Sequence, residues 1–158
     1  MSGKFLITKP GFEKLKAEIE QLKNIERPKI IQAVATAREL GDLKENAEYH
    51  TAKDRQGMVE ATIANLEDKF ARAQIVDIDS LSGNIVRFGA TIELENVENG
   101  KKFSYKIVSE YEADIENGLI SDTSPVSSAL MGRQVGDQVE IITPGGVIDY
   151  EILTICFK

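Results

Sequence analysis

The chain has 158 residues, 42% of them hydrophobic and 28% charged, with one cysteine and a formal net charge of -7. A single cysteine excludes an internal disulfide, and the opening apolar run Phe5-Leu6-Ile7 is too short for a signal peptide or a spanning helix, so a cytoplasmic protein is expected. Residues 1–75 hold 13 Lys and Arg against 12 Asp and Glu, whereas residues 76–158 hold 6 against 14; this excludes the strongly basic face of an autonomous DNA binder and suits the acidic half to a basic protein surface.

Thr8 predicts a helix start, as a cap whose opening turn holds Pro10, where a missing N–H costs little. Apolar residues then recur at alternating spacings of three and four in two arms. The first carries Leu15, Ile19, Leu22, Ile30 and Ala37, and the second carries Ala52, Val59, Ile63, Leu66, Phe70 and Ala73. Residues that face one another in an antiparallel pair lie equally far from the turn. Leu15 with Ala73, Ile19 with Phe70, Leu22 with Leu66, Ile30 with Val59 and Ala37 with Ala52 all satisfy this rule about one point, between Lys44 and Glu45. The pattern predicts an antiparallel helical hairpin whose arm, at about 1.5 Å of rise for each of roughly 29 residues, reaches about 44 Å. Gly41 is expected to end the first arm, and Pro28 to kink or break it near Glu26 to Lys29.

At about Gln74 the helical period gives way to short runs bounded by Gly, Asn and Pro. Strands are expected over 75–78, 91–96, 103–108, 138–143 and 147–155, with turns at Asn99-Gly100 and at Thr143-Pro144-Gly145-Gly146. Ser124 and Pro125 read as the cap and first residue of a short helix that stops at Gly132. The fold class is therefore α+β, with a hairpin domain over residues 1–76 and a small domain with an antiparallel sheet over 77–158. Cys156 in the last strand reads as a small buried apolar residue.

The turn of the hairpin carries the chemistry. Asp42 and Glu45 have the spacing of an acidic capping box for the second arm. They also suit a share in holding Mg²⁺, which takes one or two protein carboxylates and completes its shell with water and phosphate; the remaining ligands would come from a partner. Arg38, Lys44, Lys53 and Arg55 flank the acids and either neutralise an RNA backbone or form a solvated face with exposed ion pairs. Tyr49 packs under the turn or stacks on a base, and His50, with no Ser, Cys or Asp constellation around it, is a surface or packing residue.

The run from Ala37 to His50, Ala-Arg-Glu-Leu-Gly-Asp-Leu-Lys-Glu-Asn-Ala-Glu-Tyr-His, resembles the signature of bacterial Gre-type transcript cleavage factors, nearer their GreA than their GreB branch. Ile120-Ser121-Asp122-Thr123-Ser124-Pro125 and Thr143-Pro144-Gly145-Gly146 extend the likeness along nearly the whole chain. The resemblance implies a monomeric factor, not itself an enzyme, that binds RNA polymerase and inserts its coiled coil through the secondary channel of a backtracked complex. There Asp42 and Glu45 would help place the second Mg²⁺ and a water, stimulating the polymerase's own hydrolysis of the nascent RNA 3′ segment. By the same pattern Arg38, Lys44, Lys53 and Arg55 would contact the extruded RNA. An FKBP-like C-terminal domain would grip the polymerase near the channel mouth, with Ser121, Asp122, Ser124 and Pro125 as its candidates. No cofactor is expected on the free protein, since the Mg²⁺ would be shared with the polymerase. Two alternatives stay open: a Gre-like channel inhibitor without cleavage stimulation, and a prolyl isomerase, because Ala129 to Ile141 also resembles a segment of FKBP-type enzymes.

Overall fold

Thr8 opens the first helix as expected: its hydroxyl accepts the N–H of Gly11 at 3.1 Å, while its own N–H is turned toward the carboxylate of Glu112 at 3.3 Å. The structure, a computed structural model, describes residues 3–41 and 46–158. Its helical elements begin with α1 (Lys9–Gln21), a π-helical turn (Leu22–Glu26), α2 (Arg27–Arg38) and α3 (Ala47–Arg72). Two short strands, β1 (Phe5–Thr8) and β2 (Ala73–Val76), bracket these helices and pair with each other. The chain divides into two compact units, one holding residues 12–73 and the other Lys4–Gly11 with Gln74–Lys158.

By contacts, residues 4–11 group with the C-terminal unit, while the break near residue 74 falls where the change of period places it. The first residues were assigned to the hairpin, yet Leu6 packs on the core of the C-terminal unit, Ile7 is fully buried, and Thr8 hydrogen-bonds Glu112 through both its N–H and its hydroxyl. A strand of four residues whose partner lies far along the chain leaves no periodic trace in sequence.

Within the hairpin unit the seam is made by Leu15, Ile19, Ile30, Val34 and Ala37 on one arm and Ala52, Ile63 and Leu66 on the other, all buried. Leu22 and Val59, expected in the seam, are only half-buried, and Val34 is an addition. Phe12 stacks on Phe70 with ring centroids 4.9 Å apart. Arg27 grips Glu60 across the arms through two bonds of 2.8 Å, and Lys23 meets Glu67 at 3.0 Å. Near Pro28 the arm changes helix type at Glu26 and Arg27 rather than breaking. Pro28 lies in the first turn of α2, and the adjustment falls one turn earlier, where the N–H of Arg27 reaches back to Leu22 O in a widened turn. A proline ring clashes with the carbonyl four residues before it and cannot bond it, so widening the preceding turn relieves both defects without ending the helix.

The C-terminal unit holds a five-stranded sheet in the order β5-β4-β3-β7-β6. Its strands are β3 (Ala90–Asn96), β4 (Lys102–Val108), β5 (Leu119–Ser121), β6 (Gln138–Thr143) and β7 (Gly146–Phe157), and the helix α4 (Pro125–Leu130) lies between β5 and β6 in the chain. The α+β class stands, with one correction to the antiparallel sheet: β5 runs parallel to β4. This three-residue strand was not expected from sequence, because a 3-10 turn and Gly118 deliver it without an alternating run. Gly118 has φ 76°, and a Cβ there would lie 2.8 Å from Ser104 O, so only glycine fits. The expected strand at 75–78 lies two residues earlier, as β2, and Ile78–Ser80 forms a 3-10 turn. Alternation along β3 sends Ala90, Ile92, Leu94 and Asn96 to the buried face, where Ile107, Ile120, Leu130, Val139, Ile141 and Ile152 complete the core. Among the described residues no helix is long and apolar enough to cross a membrane.

Candidate functional site

The connection between the arms is built from both ends. On the α2 side, Glu39 N–H bonds Thr36 O at 3.2 Å, Leu40 N–H bonds Ala37 O at 3.1 Å, and Gly41 takes φ 124°. The helix thus stops at Arg38, three residues before the glycine expected to end it. On the α3 side, Asn46 is the N-cap, with φ -87°, ψ 97° and its side-chain oxygen accepting Tyr49 N–H at 3.0 Å. Asp42, Leu43, Lys44 and Glu45 lie outside the described residues, so the acids and Lys44 are placed only by their position in the sequence between Gly41 and Asn46.

The cap of the second arm is Asn46, while the capping-box spacing of Asp42 and Glu45 lies outside the described residues. Asn46 also does something no cap requires: its side-chain nitrogen donates to Ala37 O at 2.6 Å, tying the last turn of α2 to the first turn of α3. Asparagine immediately before Ala47-Glu48 is a favoured cap signal. The competing Asp-x-x-Glu spacing obscured it.

The flanking basic residues separate into two groups. Arg38 lies with its guanidinium carbon 5.8 Å from the ring centroid of Tyr49. Lys53, four residues beyond Tyr49 and so on the same side of α3, reaches Gln56 at 3.3 Å. Arg55 falls about 200° round the helix from Lys53. There it lines a groove of about 520 Å³ with Ala33, Thr36, Ala37, Ala47, Glu48, Thr51 and Ala52. The small side chains at 33, 37, 47 and 52 make that groove. His50 is exposed and sets its ring edgewise to Tyr49 at 5.6 Å. Tyr49 is half-buried, in accord with a packing role.

In the C-terminal unit, Ser121, Asp122, Ser124 and Pro125 form one turn leading into α4. The Ser121 hydroxyl lies 2.7 Å from that of Thr123, Ser124 Oγ accepts Ser127 N–H at 3.2 Å, and Ser127 Oγ donates to Ser121 O at 2.6 Å. The serine hydroxyls therefore shape the turn. Pro125 and Thr123 are exposed and Asp122 is half-exposed, so these present its surface. Burial pushes the Asp122 carboxyl above the usual carboxylate range; its backbone hydrogen bond opposes the shift, and the nearby charges of Glu110 and Glu112 add to it.

The sheet face away from the core is acidic. Cross-strand register sets Glu95 directly opposite Glu151 and Glu140 directly opposite Asp149, with Glu93 on the same face. Glu95 also faces Lys102 on β4, whereas Glu140 and Asp149 are opposed like charges, which cost a sheet stability.

Comparison with known proteins matches residues 5–75 to the family described as transcription elongation factor, N-terminal, and residues 81–157 to transcription elongation factor, GreA/GreB, C-terminal. The chain belongs to the GreA/GreB family of transcription elongation factors. It is 51% identical to transcription elongation factor GreA of Phenylobacterium zucineum over 92% of this chain and 93% of the relative, and 49% identical to that of Rickettsia bellii over 100% and 98%. A solved structure of GreA factor homolog 1 from Thermus thermophilus is 30% identical, aligned over 96% of this chain and 98% of that one at a TM-score of 0.45. Among the described residues of this Gre family chain, no group of three or more His, Cys, Asp or Glu could hold a metal ion.

Proposed function

We propose that this elongation factor acts in the cytoplasm as a monomer on RNA polymerase. Its coiled coil enters the secondary channel of backtracked complexes and stimulates the polymerase's own cleavage of the nascent RNA 3′ end. The observation that carries this reading is the sequence Asp42-Leu43-Lys44-Glu45 in the connection between the two long helical arms of a GreA/GreB family member. Two carboxylates match the preference of Mg²⁺, which takes one or two protein carboxylates beside water and phosphate oxygens. Asp42 and Glu45 would hold the ion jointly with the polymerase, where its charge supplies an activated water for phosphodiester hydrolysis.

The remaining chemistry belongs to the chain's own side chains. Arg38, with Tyr49 and Lys53 on one side of the hairpin, and Arg55 on the other offer cations to RNA phosphates approaching from either side. The turn at Ser121, Asp122, Ser124 and Pro125 and the acidic sheet face suit the C-terminal unit to a basic surface of the polymerase. The test uses stalled, backtracked elongation complexes, Mg²⁺ and labelled RNA. Shortened transcripts that extend again support the reading. Unchanged transcripts with unimpaired polymerase overturn it, and slowed elongation without cleavage favours the inhibitor alternative.

A further inference from the structure

The side chain of Asn46 joins two helices at the point where the acidic segment begins. Its nitrogen donates to Ala37 O at 2.6 Å and its oxygen accepts from Tyr49 N–H at 3.0 Å. The first partner only accepts and the second only donates, so the amide has one orientation that satisfies both. Ala37 O also receives Leu40 N–H at 3.1 Å, so the carbonyl holds two donors, one from its own helix end and one from the other arm. A bare N-cap needs only the second of the Asn46 bonds, and serine or aspartate would provide it equally well. The first bond fixes the separation between the end of α2 and the start of α3, which are the two ends of the segment 38–46.

We propose that Asn46 is a positioning residue for cleavage stimulation: by clamping Ala37 to Tyr49 it sets the span from which Asp42 and Glu45 are presented. This rests on the reading of those acids given above. Asn46 touches neither RNA nor metal in this role. Its effect is geometric, and a displacement of about 1 Å at a reacting centre can lower a rate roughly a hundredfold.

The variants Asn46→Asp and Asn46→Ser keep the cap acceptor and remove the donor to Ala37 O; aspartate also sets a carboxylate against that carbonyl. Three measurements separate positioning from simple structure. Amide exchange at Tyr49 in the free protein should stay protected in both variants and be lost in Asn46→Ala. The concentration of factor that half-saturates cleavage in backtracked complexes should change less than about twofold, because the polymerase contacts remain. The rate at saturating factor should fall roughly ten- to a hundredfold, and the Mg²⁺ concentration for half-maximal rate should rise. Asp42→Asn measured beside them keeps the two readings apart. If Asp42→Asn is inactive while both Asn46 variants cleave at the wild-type saturating rate, the positioning role is overturned and the acid reading stands. If Asp42→Asn is itself fully active, the acid reading fails and this inference fails with it. A rise in half-saturating concentration at an unchanged maximal rate would make Asn46 a binding residue and likewise overturn the proposal.

Discussion

Glu112 shows how one side chain can hold a chain segment remote from it in sequence. Its carboxylate accepts the N–H and hydroxyl of Thr8 and, at 3.2 and 2.7 Å, the N–H and hydroxyl of Ser109, and both partners are buried. Glu112→Ala leaves those donors without an acceptor, and a loss of about 1–3 kcal/mol is expected in urea unfolding; no loss would mean the network does not hold β1 in place. Gly11 belongs to the same site, because a Cβ there would run into the Glu112 carboxylate. Asp122 makes the opposite case. Its folded pKa is raised, so protonation favours the folded state; the stabilisation is complete below the unfolded value near 3.9 and is lost as pH rises through the folded value. At pH 7 the chain therefore carries an unfavourable anion. Asp122→Asn should raise the melting temperature at pH 7 and have a smaller effect at pH 4, and a variant that melts lower at pH 7 would contradict this.

At the scale of elements, the hairpin was legible because its signal is repetitive: the three-four spacing located both arms, and equal distances from one midpoint placed the turn. The short elements were not legible. β1 and β5 have four and three residues, and each owes its place to a partner supplied elsewhere, β2 in one case and β4 in the other. Pro28 marks the irregularity from sequence, and the widened turn lies on its N-terminal side, ending at Glu26 and Arg27. At the candidate site, the two-residue spacing of Lys53 and Arg55 already sets them on opposite sides of a helix, but the contact of Arg38 with the Tyr49 ring and the bridging role of Asn46 were not legible. The Arg27 pair contributes to hairpin stability in a pH-dependent way. Hydrogen bonding to Arg27 lowers the Glu60 pKa, so the contribution is present above the unfolded carboxyl value and fades as pH falls through the folded one. Glu60→Gln should therefore weaken the helical unit slightly at pH 7, less at high salt, and less again as pH falls below the unfolded carboxyl value. Helical circular dichroism during unfolding would check this, and a loss that does not shrink as pH falls would refute the ion pair.

For the whole molecule the uneven charge has a structural address. The acidic half concentrates carboxylates on the sheet face away from the core, where Glu140 opposes Asp149 and Glu95 opposes Glu151. The double substitution Glu140→Gln with Asp149→Asn should stabilise the free protein by a few tenths of a kcal/mol, about the size of one cross-strand pair. It should also weaken polymerase binding and flatten its salt dependence; unchanged binding would remove this face from the interface.

The account depends most on the carboxylates between the arms. Backtracked complexes with saturating wild type, Asp42→Asn or Glu45→Gln should bind all three proteins alike, because shape is retained. Only the wild type should shorten the RNA quickly, with each variant slower by roughly a hundredfold or more, the scale of a lost catalytic electrostatic contact. Equal cleavage by all three at the same occupancy would contradict it.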